Sequence, residues 1–132
     1  MGSDPLAPYK NIIDDCMYPD IYSKKPIQIS KAKKAISNYS KAVGDPVGEV
    51  ELMVFFVERG NSFTLNFGDM DEDFYDALNR MYQRVIKKVL YLPQEYKKTF
   101  QKRLKNILMS SSGMGWGYHD MLYEDYYSAF PE

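Results

Sequence analysis

The sequence predicts an all-α fold, a compact bundle of five or six mostly antiparallel helices. Three observations carry that expectation. Between Asp69 and Leu92, Phe74, Leu78, Met81, Val85 and Val89 recur at spacings of four, three, four and four, a stripe that one face of a helix buries. Prolines and glycines punctuate the chain at intervals that suit helices joined by short connections. Only one stretch offers strand-like alternation, and the two-stranded hairpin it would form is marginal without a third strand.

The elements follow in order. Pro5, Pro8, Pro19 and Pro26 break the first segment and leave room for one short helix, from Pro8 or Tyr9 to Met17, with proline in its first turn. Residues 18–29 read as an extended connector, because proline disfavours helix at the residue before it. Ser30 is the expected N-cap of a second helix with Ala32, Ala35, Ile36, Tyr39 and Val43 inward, and Gly44 ends it. Asp45-Pro46 is a fresh start signal.

Residues 48–68 support two readings. Ser62 to Phe67 alternates polar and apolar like a strand, and Arg59-Gly60-Asn61 suits a hairpin loop. Met53, Phe56, Val57, Gly60, Thr64 and Phe67 also form one helical stripe, with Gly60 where two helices would approach closely. The helix is favoured, since no partner strand is in sight.

From Asp69 to Leu92, acids lead and Arg80, Arg84, Lys87 and Lys88 follow, the polarity that a helix macrodipole favours. Pro93 stops that helix and opens another, with Tyr96, Phe100, Leu104, Ile107 and Leu108 inward. Gly113 closes it, and a last helix spans about Tyr118 to Phe130. Residues 1–8 are expected to be a flexible N-terminus and 9–132 a single helical domain.

Composition narrows the function. The 132 residues are 45% hydrophobic and carry 17 Lys+Arg against 18 Asp+Glu. That excludes low-hydrophobicity disorder, and the longest apolar run, Leu52 to Val57, is far too short to span a membrane. The single cysteine, Cys16, allows no internal disulfide, which suits a reducing cytoplasm.

The net charge hides segregation. Residues 24–41 hold six lysines and no acid, residues 79–109 hold nine basic residues against Glu95, and residues 45–76 hold nine acids against Arg59. Lys97, Lys98, Lys102, Arg103 and Lys105, with the lysines of residues 24–41, are therefore the candidate nucleic-acid face. No recognition motif accompanies them, and complementary faces of neighbouring helices explain the same pattern.

The least ordinary segment is Gly113-Met-Gly-Trp-Gly-Tyr-His-Asp. Backbone N–H groups at a helix start attract anions, and His119 offers acid, base or ligand chemistry. The spacing matches neither a P-loop nor a dinucleotide fingerprint. A structural reading needs less: the glycines make a sharp connection, Trp116 plugs the core, and His119 or Asp120 caps the last helix. The acids from Asp69 to Asp76 cannot form an EF-hand loop, since Phe74 and Arg80 stand at its sixth and twelfth positions; helix capping explains them. One histidine and one cysteine cannot build a zinc site of the usual kind, so no metal and no cofactor is expected. Trp116, His119, Asp120, Glu58 and Asp69 form the candidate pocket. An alternative uses His119 with those carboxylates in a metal-assisted hydrolase. On the last helix Tyr123, Tyr126, Tyr127 and Phe130 form an aromatic stripe, and Tyr and Met are enriched at interfaces.

Lys33-Lys34-Ala35-Ile36, Glu51-Leu52-Met53, Val57-Glu58 with Gly60, Phe63-Thr64, Gly68-Asp69, Phe74-Tyr75, and Gly115-Trp116-Gly117-Tyr118-His119-Asp120 with Tyr126-Tyr127 resemble a family of small bacterial proteins known only as a domain of unknown function. The resemblance spans about residues 9–130. It implies an all-helical fold and supplies no activity, substrate or cofactor. Typical members carry a further helical segment ahead of the region matching Tyr9, so a truncated chain would leave apolar surface for a partner or second copy. The expected function is a binding or interaction module, with self-association through a homodimer or another protein partner as its form and no membrane involved.

Overall fold

The structure is a computed structural model describing residues 4–131. Six α-helices account for it: α1 (Ala7–Met17), α2 (Ile29–Ala42), α3 (Pro46–Phe67), α4 (Glu72–Val89), α5 (Gln94–Ser110) and α6 (Tyr118–Ala129), with one 3₁₀ turn at Ile21–Ser23. No strand occurs among the described residues; the ambiguous stretch is helix through Phe67, with Gly68 as its C-cap.

Local chemistry sets the boundaries. Asp45 caps α3 by accepting a hydrogen bond from the Val47 amide, and Asp71 caps α4 by accepting one from Phe74. Glu72 and Asp73 open α4 while Lys87 and Lys88 close it, as the macrodipole favours. The expected Ser30 cap is not used: α2 begins one residue earlier, behind Gln28, whose side chain makes no capping bond. Its first turn is instead anchored by the Gln28 amide, which donates to the Cys16 carbonyl. Of the expected flexible N-terminus, residues 1–3 lie outside the described residues. Asp4 accepts a hydrogen bond from the Leu6 amide, and residues 7 and 8 already belong to α1.

Consecutive helices run antiparallel. Along α3 and α4, Gly60 meets Leu78 and Glu49 meets Lys88, so one number rises as the other falls. His119 meets Leu108 and Tyr126 meets Gln101 in the same sense across α5 and α6. Alternate helices are parallel: Lys10 and Asp14 of α1 pair with Glu51 and Arg59 of α3.

Helix α3 is the axis of the bundle, packed by α1, α2, α4 and α5. Its buried residues, among them Val50, Leu52, Val54, Phe56 and Val57, cover most of its circumference and leave the face of Glu51, Phe55, Glu58, Ser62 and Leu65 partly open. Two glycines make that density attainable. A Cβ on Gly60 would lie 2.5 Å from the Leu78 Cδ2, and one on Gly48 would fall inside the Tyr39 phenol. The α4 stripe is buried as expected, as are Phe100, Leu104, Ile107 and Leu108 of α5. Tyr96, Val43 and Phe67, expected inward at helix ends, are partly exposed instead.

Candidate functional site

The Gly113–Asp120 segment is held by a buried polar network running back to α3 and α4. The Tyr118 hydroxyl donates to Asn61 Oδ1 at 2.7 Å, and the Asn61 amide donates to the Ile107 carbonyl and to Ser110 Oγ. Thr64 Oγ1 lies 2.8 Å from the Asn61 carbonyl and 3.4 Å from Met114 Sδ. Tyr118 is wholly buried and stacks on Tyr75, with ring centroids 4.9 Å apart. Burial raises the phenol of each above its ordinary value; for Tyr75 the hydrogen bond it donates to Asp69 adds to that.

Asp69 thereby serves as a fastener. Its Oδ1 accepts the Tyr75 hydroxyl at 2.5 Å and the Gly115 amide at 3.3 Å. It is not a helix cap, as the acidic cluster suggested; Asp71 does that work.

Trp116 does not plug the core. It is 62% exposed, with a φ of +61° that few non-glycine residues adopt. Tyr118, two residues later, takes the interior position. Neither His119 nor Asp120 caps α6, whose N-cap is Gly117 with no side-chain bond. His119 closes the other helix: its Nδ1 lies 2.7 Å from Ser111 Oγ and 3.1 Å from the Leu108 carbonyl at the end of α5. Ser111 gives its single hydrogen to Leu108, which assigns the donor role to Nδ1–H. The imidazole thus adds to the hydrogen bonds that the Leu108 carbonyl accepts from the Ser111 amide and hydroxyl at the helix C-terminus. Asp120 is exposed.

Glu58 belongs to another group. Arg103 reaches it through Nη2 at 2.6 Å and Nε at 3.1 Å, and reaches Glu51 through Nη1 at 2.7 Å. Burial alone would lower the guanidinium pKa, but the two carboxylates more than offset that and raise it. The five candidate residues therefore do not share one set of partners: Asp69 and the Trp116 loop are joined, while Glu58 and His119 serve separate contacts. No carboxylate among the described residues is a hydrogen-bond partner of His119. Among the described residues, no group of three or more His, Cys, Asp or Glu converges on a point where a metal ion could sit.

The candidate nucleic-acid stripe is likewise divided. Arg103 is committed to the two glutamates between α3 and α5. Helix α5 packs on α3, α4 and α6, whereas α2 packs on α1 and α3. Lys97, Lys98, Lys102 and Lys105 thus stand on α5, apart from the lysines of residues 24–41. What those lysines meet instead is the end of α4. A hollow of about 630 Å³ brings Lys33 and Lys34 of α2 to Arg84 and Lys88 of α4. It adjoins a second hollow, of about 750 Å³, bounded by the start of α3 and by Tyr91 to Pro93. Sequence reasoning missed this meeting, although the two lysine-rich blocks were its signal.

No protein-family model, no curated protein and no solved structure matches the chain. Fold and geometry define its class: an all-helical bundle with a rigid aromatic loop at one end and a cationic hollow at the other. No helix among the described residues is long and apolar enough to cross a membrane.

Proposed function

We propose that the chain is a binding or interaction module that docks on a protein surface through its Trp116 end, with a second copy as the occupant. The supporting observation is Trp116 itself, a large aromatic side chain left in solvent by a loop fastened before it by the Gly115 amide and after it by the Tyr118 side chain. A residue held at positive φ costs on the order of 1 kcal/mol, and such residues concentrate at functional positions. Tryptophan is also among the strongest anchors at protein interfaces. Leu65 and Phe67, at the end of α3 where Thr64 meets Met114, add exposed apolar area.

Membership of the bacterial domain-of-unknown-function family belongs to the same proposal, since this loop carries the most specific part of the resemblance. A cytoplasmic setting agrees with a lone, buried cysteine whose thiol pKa burial raises. Sedimentation velocity over a wide concentration range tests the reading. Wild-type protein is expected to associate with rising concentration, more readily at high salt, where the carboxylates around the loop are screened. Trp116→Ala is expected to remain monomeric. A wild-type protein that is monomeric throughout, or a variant that associates equally, overturns it.

A further inference from the structure

We propose that the paired hollows between α2, the start of α3 and the end of α4 bind a small amphiphilic anion, an apolar body carrying a phosphate. The larger hollow, about 750 Å³, falls within the roughly 300–1,000 Å³ of small-molecule sites. Pro46, Val47, Val50, Leu92 and Pro93 give it apolar walls, and Tyr91, 91% exposed, stands at its edge with a free ring face.

The charge is concentrated on one side. Lys33, Lys34, Arg84, Lys87 and Lys88 line the two hollows together, against one carboxylate, Glu49. Glu49 is already matched: Lys88 sits 2.8 Å from it. Lys33, Lys34 and Lys87 make no ion pair among the described residues. Like charges gathered around a concavity repel one another, and an anion relieves that repulsion while its apolar part covers the walls. A guanidinium with ammonium groups beside it suits the three acceptor oxygens of a phosphate.

The shape favours a small ligand over a nucleic acid. A polyanion needs a cationic surface that continues along its backbone. Here the cations surround one depression, and the molecule carries a net charge of −1, with Asp69, Asp71, Glu72, Asp73 and Asp76 clustered at the opposite end of α4.

Calorimetric titration of the full chain tests the proposal with four probes: 1-naphthyl phosphate, inorganic phosphate, 1-naphthol and a thymidine oligonucleotide. Saturable binding of naphthyl phosphate is expected, at least tenfold tighter than phosphate or naphthol alone. Replacing Arg84 and Lys87 together by alanine is expected to weaken it roughly tenfold or more, in line with lost charged hydrogen bonds. Both residues are exposed, so an unchanged thermal transition verifies the fold of that variant. Tyr91→Ala is expected to weaken naphthyl phosphate and leave inorganic phosphate unchanged. Lys97→Ala with Lys98→Ala, and separately Trp116→Ala, are expected to bind as wild type does, which separates this site from the proposed docking surface. Equal binding of naphthol and naphthyl phosphate, no binding of either, or an unaffected Arg84/Lys87 variant overturns the proposal. An oligonucleotide that binds more tightly than naphthyl phosphate overturns it in favour of a nucleic-acid surface.

Discussion

The two ends of the α3–α4 pair are built on opposite plans. Helix α3 is 22 residues long, about 33 Å at 1.5 Å per residue, and its termini face different surroundings. At the C-terminal end, Tyr118 and Thr64 donate to Asn61, Asn61 donates to Ile107 and Ser110, Tyr75 donates to Asp69, and Asp69 clasps down the chain between α5 and α6. At the N-terminal end, Gly44 to Val50 and Tyr91 to Pro93 border open space, and the principal polar link is the Glu49–Lys88 pair. Satisfied buried polar groups rigidify a region because every alternative arrangement leaves some of them unpaired. The first end is therefore suited to presenting a fixed shape, and the second to receiving something.

Breaking the contrast at the rigid end carries the largest expected effect. Asn61→Ala removes the partner of the buried Tyr118 hydroxyl and two further hydrogen bonds, and is expected to cost about 2–4 kcal/mol in urea denaturation. Between the ends, Arg103→Ala leaves Glu51 and Glu58 facing one another half-buried. A cost of about 1–3 kcal/mol is expected, below that of a fully buried pair because all three side chains keep some solvent contact. The same variant sharpens the reading of the α5 lysines, since Arg103 is expected to affect stability rather than anion binding.

At the open end, Gly48→Ala forces a methyl group against the buried Tyr39 ring. A loss of about 1–2 kcal/mol is expected once the better helix propensity of alanine is set against the clash. Glu49 offers a pH test. Burial alone would raise its carboxyl, but Lys88, Ser40 and Arg84 together bring it below the usual 4.5. A carboxylate whose folded pKa is depressed stabilises the protein above its unfolded value, and that contribution fades as pH falls through the folded one. Glu49→Gln is therefore expected to flatten the loss of stability on acidification below about pH 5, read from thermal transitions at successive pH values. The smallest effect is expected from Trp116→Gly, which should leave stability within about ±0.5 kcal/mol. It relieves a positive φ at the expense of a looser unfolded chain, so any loss of self-association in that variant reports on docking alone.

The helices were legible wherever one face meets the core. The α4 stripe and most of the α5 stripe are buried as their spacing predicts. The ambiguity over residues 48–68 has a physical origin: a helix packed on four sides loses its polar face, and with it the period that identifies a helix. The candidate pocket was legible only in part. A large aromatic between glycines suits a plug, but the left-handed residues Trp116 and Gly117 turn the chain so that Tyr118 enters the core. His119 sits at the start of one helix and serves the end of another, which no local pattern discloses. The cationic hollow draws on segments around residues 33, 47, 84 and 91, and only the tertiary fold adds them together.

Trp116 is the one tryptophan of the chain, and its exposure has an optical consequence. Its indole is already wet in the native state, so intrinsic emission is expected to start red-shifted and to move little when the bundle melts. The same indole would shift blue the moment another surface covered it. The residue thus makes a poor gauge of global unfolding and a sensitive lamp for docking at its own end.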